Sequence, residues 1–208
     1  DLLLLTGFEP DANWHRFADL VADVADDFGV RMMVGLGAYP FATPHTRPSR
    51  VSCTTPSHEM ARRVRWLKNS VDVPAGAEAV LEHALHGRDI PSIGLWVQVP
   101  HYISNSAYPA ASASLIEAVA ETAGLTFDIS HLSSQAGAQR ARLDELVDNN
   151  PEHQLMLRQL EQVWDSVEED LAAPLPSPAT QSPLDSEHLP SPDELAAEVE
   201  RFLREQES

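Results

Sequence analysis

Apolar residues recur along this chain with two different periods. Leu2, Leu3, Leu4 and Leu5 form an unbroken run closed by Thr6 and Gly7, the pattern of a strand covered on both faces. Trp14, Phe17, Val21, Val24 and Phe28 then follow at three- and four-residue steps. Asp19, Asp23, Asp26 and Asp27 lie mostly off that stripe and Gly29 stands where a cap is needed, which predicts an amphipathic helix. Val30 to Leu36 reads as a second strand. Strand, helix and strand together predict a βαβ unit, with a right-handed crossover and a parallel sheet.

The period then lapses. Pro40, Pro44 and Pro48 mark an ordered loop, and Val51 to Thr54 reads as an edge strand behind it. Residues 58–73 follow neither period, and Arg62, Arg63, Arg65 and Lys68 form a basic patch around Val64, Trp66 and Leu67. Gly76 to His86 predicts a short helix with Val80, Leu81 and Leu85 as its apolar side, stopped by Gly87. Ile93 to Val99 is the strongest strand, with Trp96 in its middle and Pro100 at its end. Pro109 opens a helix that continues to Gly124, and its small residues from Ala110 to Ser114 allow close approach by a neighbour.

After a short extended piece, Leu125 to Ile129, helices near Ser133–Asn149 and Pro151–Asp170 read as an antiparallel hairpin turned at Asn149-Asn150-Pro151. Six prolines and no glycine between residues 174 and 192 mark an extended linker. Ser191-Pro192-Asp193-Glu194 then has the form of a capping box, and it opens a last helix with the stripe Leu195, Val199, Phe202 and Leu203. The expected organisation is an α/β core over residues 1–132, a helical hairpin extension over 133–171, a proline-rich linker over 172–191 and an acidic amphipathic helix over 192–208.

Composition narrows the function classes. With 43% hydrophobic residues among 208, the chain can bury a core, and no apolar run approaches the roughly 18 residues of a membrane span. Fourteen basic residues against 32 acidic ones leave −18, which disfavours nucleic acid and anionic lipid. That charge is uneven. Residues 1–140 carry 15 acids and 10 bases, a net of −5, whereas residues 141–208 carry 17 acids and 4 bases, a net of −13. All nine glycines lie at or before Gly137, so chemistry that needs tight loops is expected in the earlier part. A single cysteine, Cys53, allows no internal disulfide, and with no secretory segment recognisable the expected setting is cytoplasmic.

No phosphate-cradling loop, Gly-x-Ser-x-Gly elbow or His-Glu-x-x-His motif is present. Gly35 and Gly37 lack the third glycine of a dinucleotide fingerprint, His83 with His86 lacks a third metal ligand, and Cys53 reads as a small buried hydrophobe. No metal and no cofactor is expected. Two loops carry more. Pro44-His45-Thr46-Arg47-Pro48 sets an imidazole and a guanidinium between rigid prolines. Val99-Pro100-His101-Tyr102 leaves the carboxyl end of the best strand, and Tyr108-Pro109 enters the next helix, where open α/β sheets form ligand crevices. His45, Arg47, His101, Tyr102 and Tyr108 are therefore the candidate binding residues. The competing structural account makes His101, Tyr102 and Tyr108 anchors whose polar tips satisfy the backbone.

The segments Val99-Pro100-His101-Tyr102 and Tyr108-Pro109-Ala110-Ala111, with Pro44-His45-Thr46-Arg47-Pro48, Val73-Pro74 and Leu81-Glu82, resemble the proteasome assembly chaperone family of the second-chaperone type, in its actinobacterial branch. The resemblance spans most of residues 1 to about 170. It implies a three-layer α/β fold with a mostly parallel sheet, related to the phosphorylase/hydrolase-like architecture and followed by a C-terminal helical extension. It also implies a homo-oligomer, a trimer being favoured, that handles other proteins and has no known catalysis. No catalytic residues carry over. Some archaeal relatives dock through a C-terminal hydrophobic-tyrosine-any signature, whereas this chain ends Gln206-Glu207-Ser208, and the 208 residues read as part of a longer chain. The alternative is a small-molecule binding protein or hydrolase acting on an anionic or nucleoside-like ligand at the His101/Tyr102 loop.

Overall fold

The computed structural model describes residues 2–68 and 76–172, with the side chains of 67–68 and 168–172 left aside. The proline-rich linker and the C-terminal helix expected over 172–191 and 192–208 lie outside the described residues, save Ala172. Residues 1–167 form one compact unit. Of the second, 168–208, only the end of one helix is described.

The described chain runs α1 (Trp14–Asp27), β1 (Met33–Phe41), β2 (Val51–Thr54), α2 (His58–Arg63), β3 (Leu67–Lys68), α3 (Ala77–His86) and β4 (Ser92–Pro100). A 3₁₀ turn over His101–Ile103 leads to α4 (Pro109–Ala123), α5 (Ser130–Asp148) and α6 (Pro151–Ala172). The strands lie in the order β1-β4-β2-β3. β1 pairs parallel to β4 and β2 parallel to β3, but β2 runs antiparallel to β4. The sheet is thus mixed, with two parallel pairings and one antiparallel, where a mostly parallel one was expected. The short loop 42–50 holds no crossover helix, so the chain turns back after β1 and β2 runs the other way. β2 is also an interior strand, paired on both sides, instead of the expected edge.

β1 begins three residues later than predicted and continues through Pro40 to Phe41. It is an edge strand, where a missing N–H on the outer side breaks no ladder. Leu2 to Leu5 forms no strand at all. These leucines are 56, 58, 82 and 64% exposed and have no paired neighbour among the described residues, so the predicted first βαβ unit is not formed. An apolar run sets a preference for strand, but the strand needs an edge to bond to.

α1 is where the period placed it, and its stop is built as expected. Gly29 takes φ +62° while the N–H of Val30 reaches back to the carbonyl of Ala25 at 2.9 Å. Its buried side is different. Ala18, Ala22 and Ala25 are enclosed against Leu81 and Leu85 of α3, with Phe17 and Val21 flanking, while Val24 and Phe28 are exposed. The two helices approach too closely for the larger side chains to lie between them. The patternless region around residue 60 holds α2, six residues capped by Ser57, whose Oγ accepts the Met60 N–H at 3.2 Å, and the two-residue β3. Neither is long enough to display a period.

β4 is the centre of the core. Ile93, Leu95, Val97 and Val99 face α4 and pack with Val51, Cys53, Ala111 and Ala118. Gly94 and its register partner Gly35 face α3 instead, which covers the opposite side of the sheet.

Candidate functional site

The loop between β1 and β2 is held from three sides. Buried His45 donates its backbone N–H to the Tyr102 hydroxyl at 2.8 Å, and the same hydroxyl lies 2.7 Å from His45 Nδ1. His45 Nε2 lies 3.2 Å from Asp144 Oδ1 on α5. One assignment satisfies every group: the phenol accepts from the backbone and donates to Nδ1, and Nε2–H donates to the carboxylate. Burial pushes the Tyr102 phenol up to about 12, against the opposing hydrogen bond from His45, so at neutral pH it stays a donor.

The neighbouring side chains are taken up by α6. Thr46 Oγ1 donates to Glu161 at 2.6 Å. Arg47 grips Asp165 through Nε and Nη2, both at 2.8 Å, and reaches Glu161 through Nη1 at 3.1 Å. The bond to Asp165 raises the Arg47 pKa, and the guanidinium in turn holds the Asp165 carboxyl below its ordinary value. Arg50 Nη2 donates to the Trp164 carbonyl at 2.8 Å and its guanidinium lies 4.2 Å from the centre of the Trp164 ring. The proline-framed loop is thus a polar clamp on α5 and α6. α6 begins cleanly: Asn150 Oδ1 accepts the Glu152 N–H at 2.9 Å and Pro151 fills the first turn.

His101 stands outside this clamp. It is exposed, its Nδ1 lies 3.4 Å from the Phe41 carbonyl, and its ring meets Tyr102 edge-on at 5.3 Å. His101, Tyr102 and His45 therefore form a chain of contacts, while the Arg47 side chain turns to Glu161 and Asp165 of α6.

A groove of about 220 Å³ does lie at the carboxyl ends of β1 and β4, against the first turns of α4. Among the five candidates, Tyr108 alone lines it, together with Tyr39, Val97, Val99, Ser112 and Leu115. Burial raises the Tyr108 phenol, and a hydrogen bond to Ser49 opposes that shift. Among the described residues no charged side chain lines this groove.

A third place escaped the sequence reading. On α3, Glu78 and Glu82 share the buried stripe with Leu81 and Leu85, at i, i+3, i+4 and i+7. They reach over Gly35 and Gly94, where a side chain on either strand would meet them. A Cβ at Gly94 would stand 2.5 Å from Glu82 Oε1 and 2.9 Å from Glu78 Oε1, and one at Gly35 would stand 2.0 Å from Glu78 Oε1. Glu82 is 3% exposed and accepts the Thr54 hydroxyl at 2.9 Å, while Glu78 Oε1 is buried without a hydrogen-bond partner among the described residues. Burial pushes both carboxyls up to about 7, and for Glu82 the Thr54 bond opposes the shift. The signal was two acids in register with two leucines on a short helix. Among the described residues no three His, Cys, Asp or Glu side chains gather as a metal site.

A family model described as the PAC2 family matches residues 1–147. A Corynebacterium glutamicum protein of unknown function is 34% identical, with TM-score 0.74, over 80% of this chain and 62% of its own. A Mycobacterium tuberculosis protein of unknown function is 33% identical, with TM-score 0.73, over 79% of this chain and 56% of its own. A second Mycobacterium tuberculosis protein, described as a proteasome-assembly chaperone homologue, is 31% identical, with TM-score 0.65, over 72% of this chain and 63% of its own. The chain thus spans less than two thirds of each of these relatives. None of the curated proteins matches it.

Proposed function

The chain belongs to the PAC2 family, and from that membership we propose that it acts as an assembly-chaperone-like module that binds other proteins and does no chemistry on them. The observation that carries this reading is the fate of the candidate residues. His45 and Arg47, the titratable and charged groups best suited to a substrate, are committed to Asp144, Glu161 and Asp165 of the chain itself. Resemblance to a structure described as a proteasome-assembly chaperone homologue supports the same direction.

In this reading residues 1–132 are a three-layer core of the phosphorylase/hydrolase-like kind, 133–171 a helical extension held by the clamp, and 192–208 an acidic arm on a proline-rich linker. The molecule is a cytoplasmic homo-oligomer, with three copies favoured. No described helix is long and apolar enough to cross a membrane. Affinity purification with mass spectrometry, repeated after deletion of residues 174–208, is expected to return a specific protein partner that depends on the arm. Size exclusion with light scattering is expected to show more than one copy. A monomer that captures no partner sinks the proposal.

The groove at Tyr108 favours a second reading, in which a small ligand binds at the strand ends. Its uncharged lining fits a ligand with an apolar body and hydroxyl-sized polar groups better than an anion. Leu115→Trp, which fills the groove, is expected to abolish any thermal shift produced by such a ligand; a shift unchanged by that substitution places the ligand elsewhere.

A further inference from the structure

Two helices cover the polar face of the sheet, and they are fastened to each other better than to the strands. Ala18, Ala22 and Ala25 of α1 join Leu81 and Leu85 of α3 in a cluster that shares no residue with the core beneath α4. Among the described residues Met33 is the one strand residue packed against that cluster. α1 packs more on α3 than on the sheet, and Arg88, just after α3, pairs with Asp23 and Asp26 of α1. Apolar area and ion pairs thus bind the helices into one piece.

Their seat on the sheet is made of other chemistry. Where α3 crosses Gly35 and Gly94, the Glu78 and Glu82 side chains lie on the strand backbone. Both Oε1 atoms come within 2.9 Å of the point that a Gly94 Cβ would occupy, so the two acids crowd one place. Thr54 of β2 gives Glu82 one hydroxyl, and Glu78 Oε1 is buried with no donor among the described residues.

Among the described residues no base faces this pair. The strand positions on this face, Met33, Gly35, Ser92, Gly94 and Trp96, carry no charge, and α1 turns its alanines to α3. Arg88 is spent on α1, and His83 and His86 are exposed. Glu9, which accepts the Ala77 N–H at the first turn of α3, adds another carboxyl at that end. Protonated, Glu78 and Glu82 can rest on the glycines as neutral groups. Ionised, each needs water or donors that the closed arrangement does not supply. Burial sets both folded values at about 7, which puts the change near neutral pH.

We propose that α1 and α3 form a two-helix lid on the polar face of the sheet, released as a unit when Glu78 and Glu82 lose their protons. Gly29 after α1 and Gly87 at the end of α3 stand where the lid rejoins the rest of the chain. Opening uncovers the glycine floor and the Trp96 ring, while the separate aliphatic cluster under α4 holds. Hydrogen exchange of the 208-residue chain by mass spectrometry, corrected for the intrinsic rate at each pH, tests this. Between pH 5 and pH 8 peptides covering 14–27 and 77–86 are expected to lose protection by roughly tenfold or more. At pH 8 they are expected to be less protected than 109–123 by about the same factor, because the lid opens without the rest. Glu78→Gln with Glu82→Gln is expected to keep 77–86 at the protection it has at pH 5. Equal protection of 77–86 and 109–123 at pH 8 overturns the proposal, since the whole domain then opens together. Protection of 77–86 that does not change with pH, or that falls as far in the double variant, overturns it too. If the double variant does not fold, Glu78→Gln alone carries the comparison: a smaller loss than that of the wild type is expected, and an equal one overturns the lid.

Discussion

Both faces of β4 are buried, yet they are made of different chemistry. Towards α4 the strand presents Ile93, Leu95, Val97 and Val99, and the space is filled by aliphatic side chains and alanines. Towards α3 it presents Ser92, Gly94, Trp96 and Gln98. Beside them Gly35 and Gly37 of β1 make a floor without side chains, and the space above is taken by the Trp96 ring and two carboxyl groups. The first face is held by area removed from water. The second depends on a relay: Trp96 Nε1–H donates to Thr54 Oγ1 at 3.2 Å, and Thr54 donates to Glu82 at 2.9 Å. Burial of the backbone on both faces therefore hides unequal vulnerability. The aliphatic face responds to lost volume, and the polar face to added volume and to pH.

The largest effect is expected on the aliphatic face. Leu95→Ala leaves a cavity beneath α4 and is expected to cost about 2–5 kcal/mol in urea unfolding, with little dependence on pH. A pH-dependent cost would mean that the faces are not separable. Next comes pH itself. The Glu78 and Glu82 carboxyls stand near 7 in the folded chain against an ordinary value near 4.5, so the native state holds protons that the unfolded state releases. Stability is accordingly full below about pH 4.5 and is lost as pH rises through 7, by on the order of 3 kcal/mol for Glu82. Glu82→Gln is expected to flatten that part of the stability curve between pH 5 and 8, and a wild-type curve that rises across this range would contradict the assignment.

Smaller effects sharpen the contrast. Gly37→Ala would place its Cβ 2.2 Å from the Trp96 ring, so the indole must move off its floor, at a cost of roughly 1–3 kcal/mol and with a changed near-ultraviolet dichroism. An alanine at Gly37 that leaves stability and dichroism unchanged would show that this face is loosely packed. Thr54→Val removes the middle of the relay and is expected to cost about 1 kcal/mol near neutral pH. Because the lost hydroxyl favoured the charged carboxyl, the penalty should shrink at pH 5, and a constant penalty would assign it to packing alone.

Periodicity and capping carried α1, α3, β4 and α4 close to their observed limits, because each is a local property: a stripe, a glycine free to take positive φ, a proline at a first turn. The same reasoning misplaced the buried side of α1, since the choice of Ala18, Ala22 and Ala25 over Val24 and Phe28 follows from how near α3 comes. It found the loop of His45 and Arg47 but not its use. Their partners Asp144 and Asp165 lie 99 and 118 residues away, and no local pattern connects such positions.

Local structure and charge distribution, then, were determined by the sequence alone: where helices start and stop, which strand is the strongest, and that the negative charge gathers after residue 140. The tertiary structure decided direction, neighbour and protonation. β2 runs antiparallel to β4 because of how the chain returns, and Leu2 to Leu5 preferred a strand without that preference supplying an edge. Glu78 and Glu82 resemble ordinary surface acids until α3 presses them onto two glycines. Pairing and desolvation are properties of distant segments brought together, and a carboxyl group's charge depends on what surrounds it.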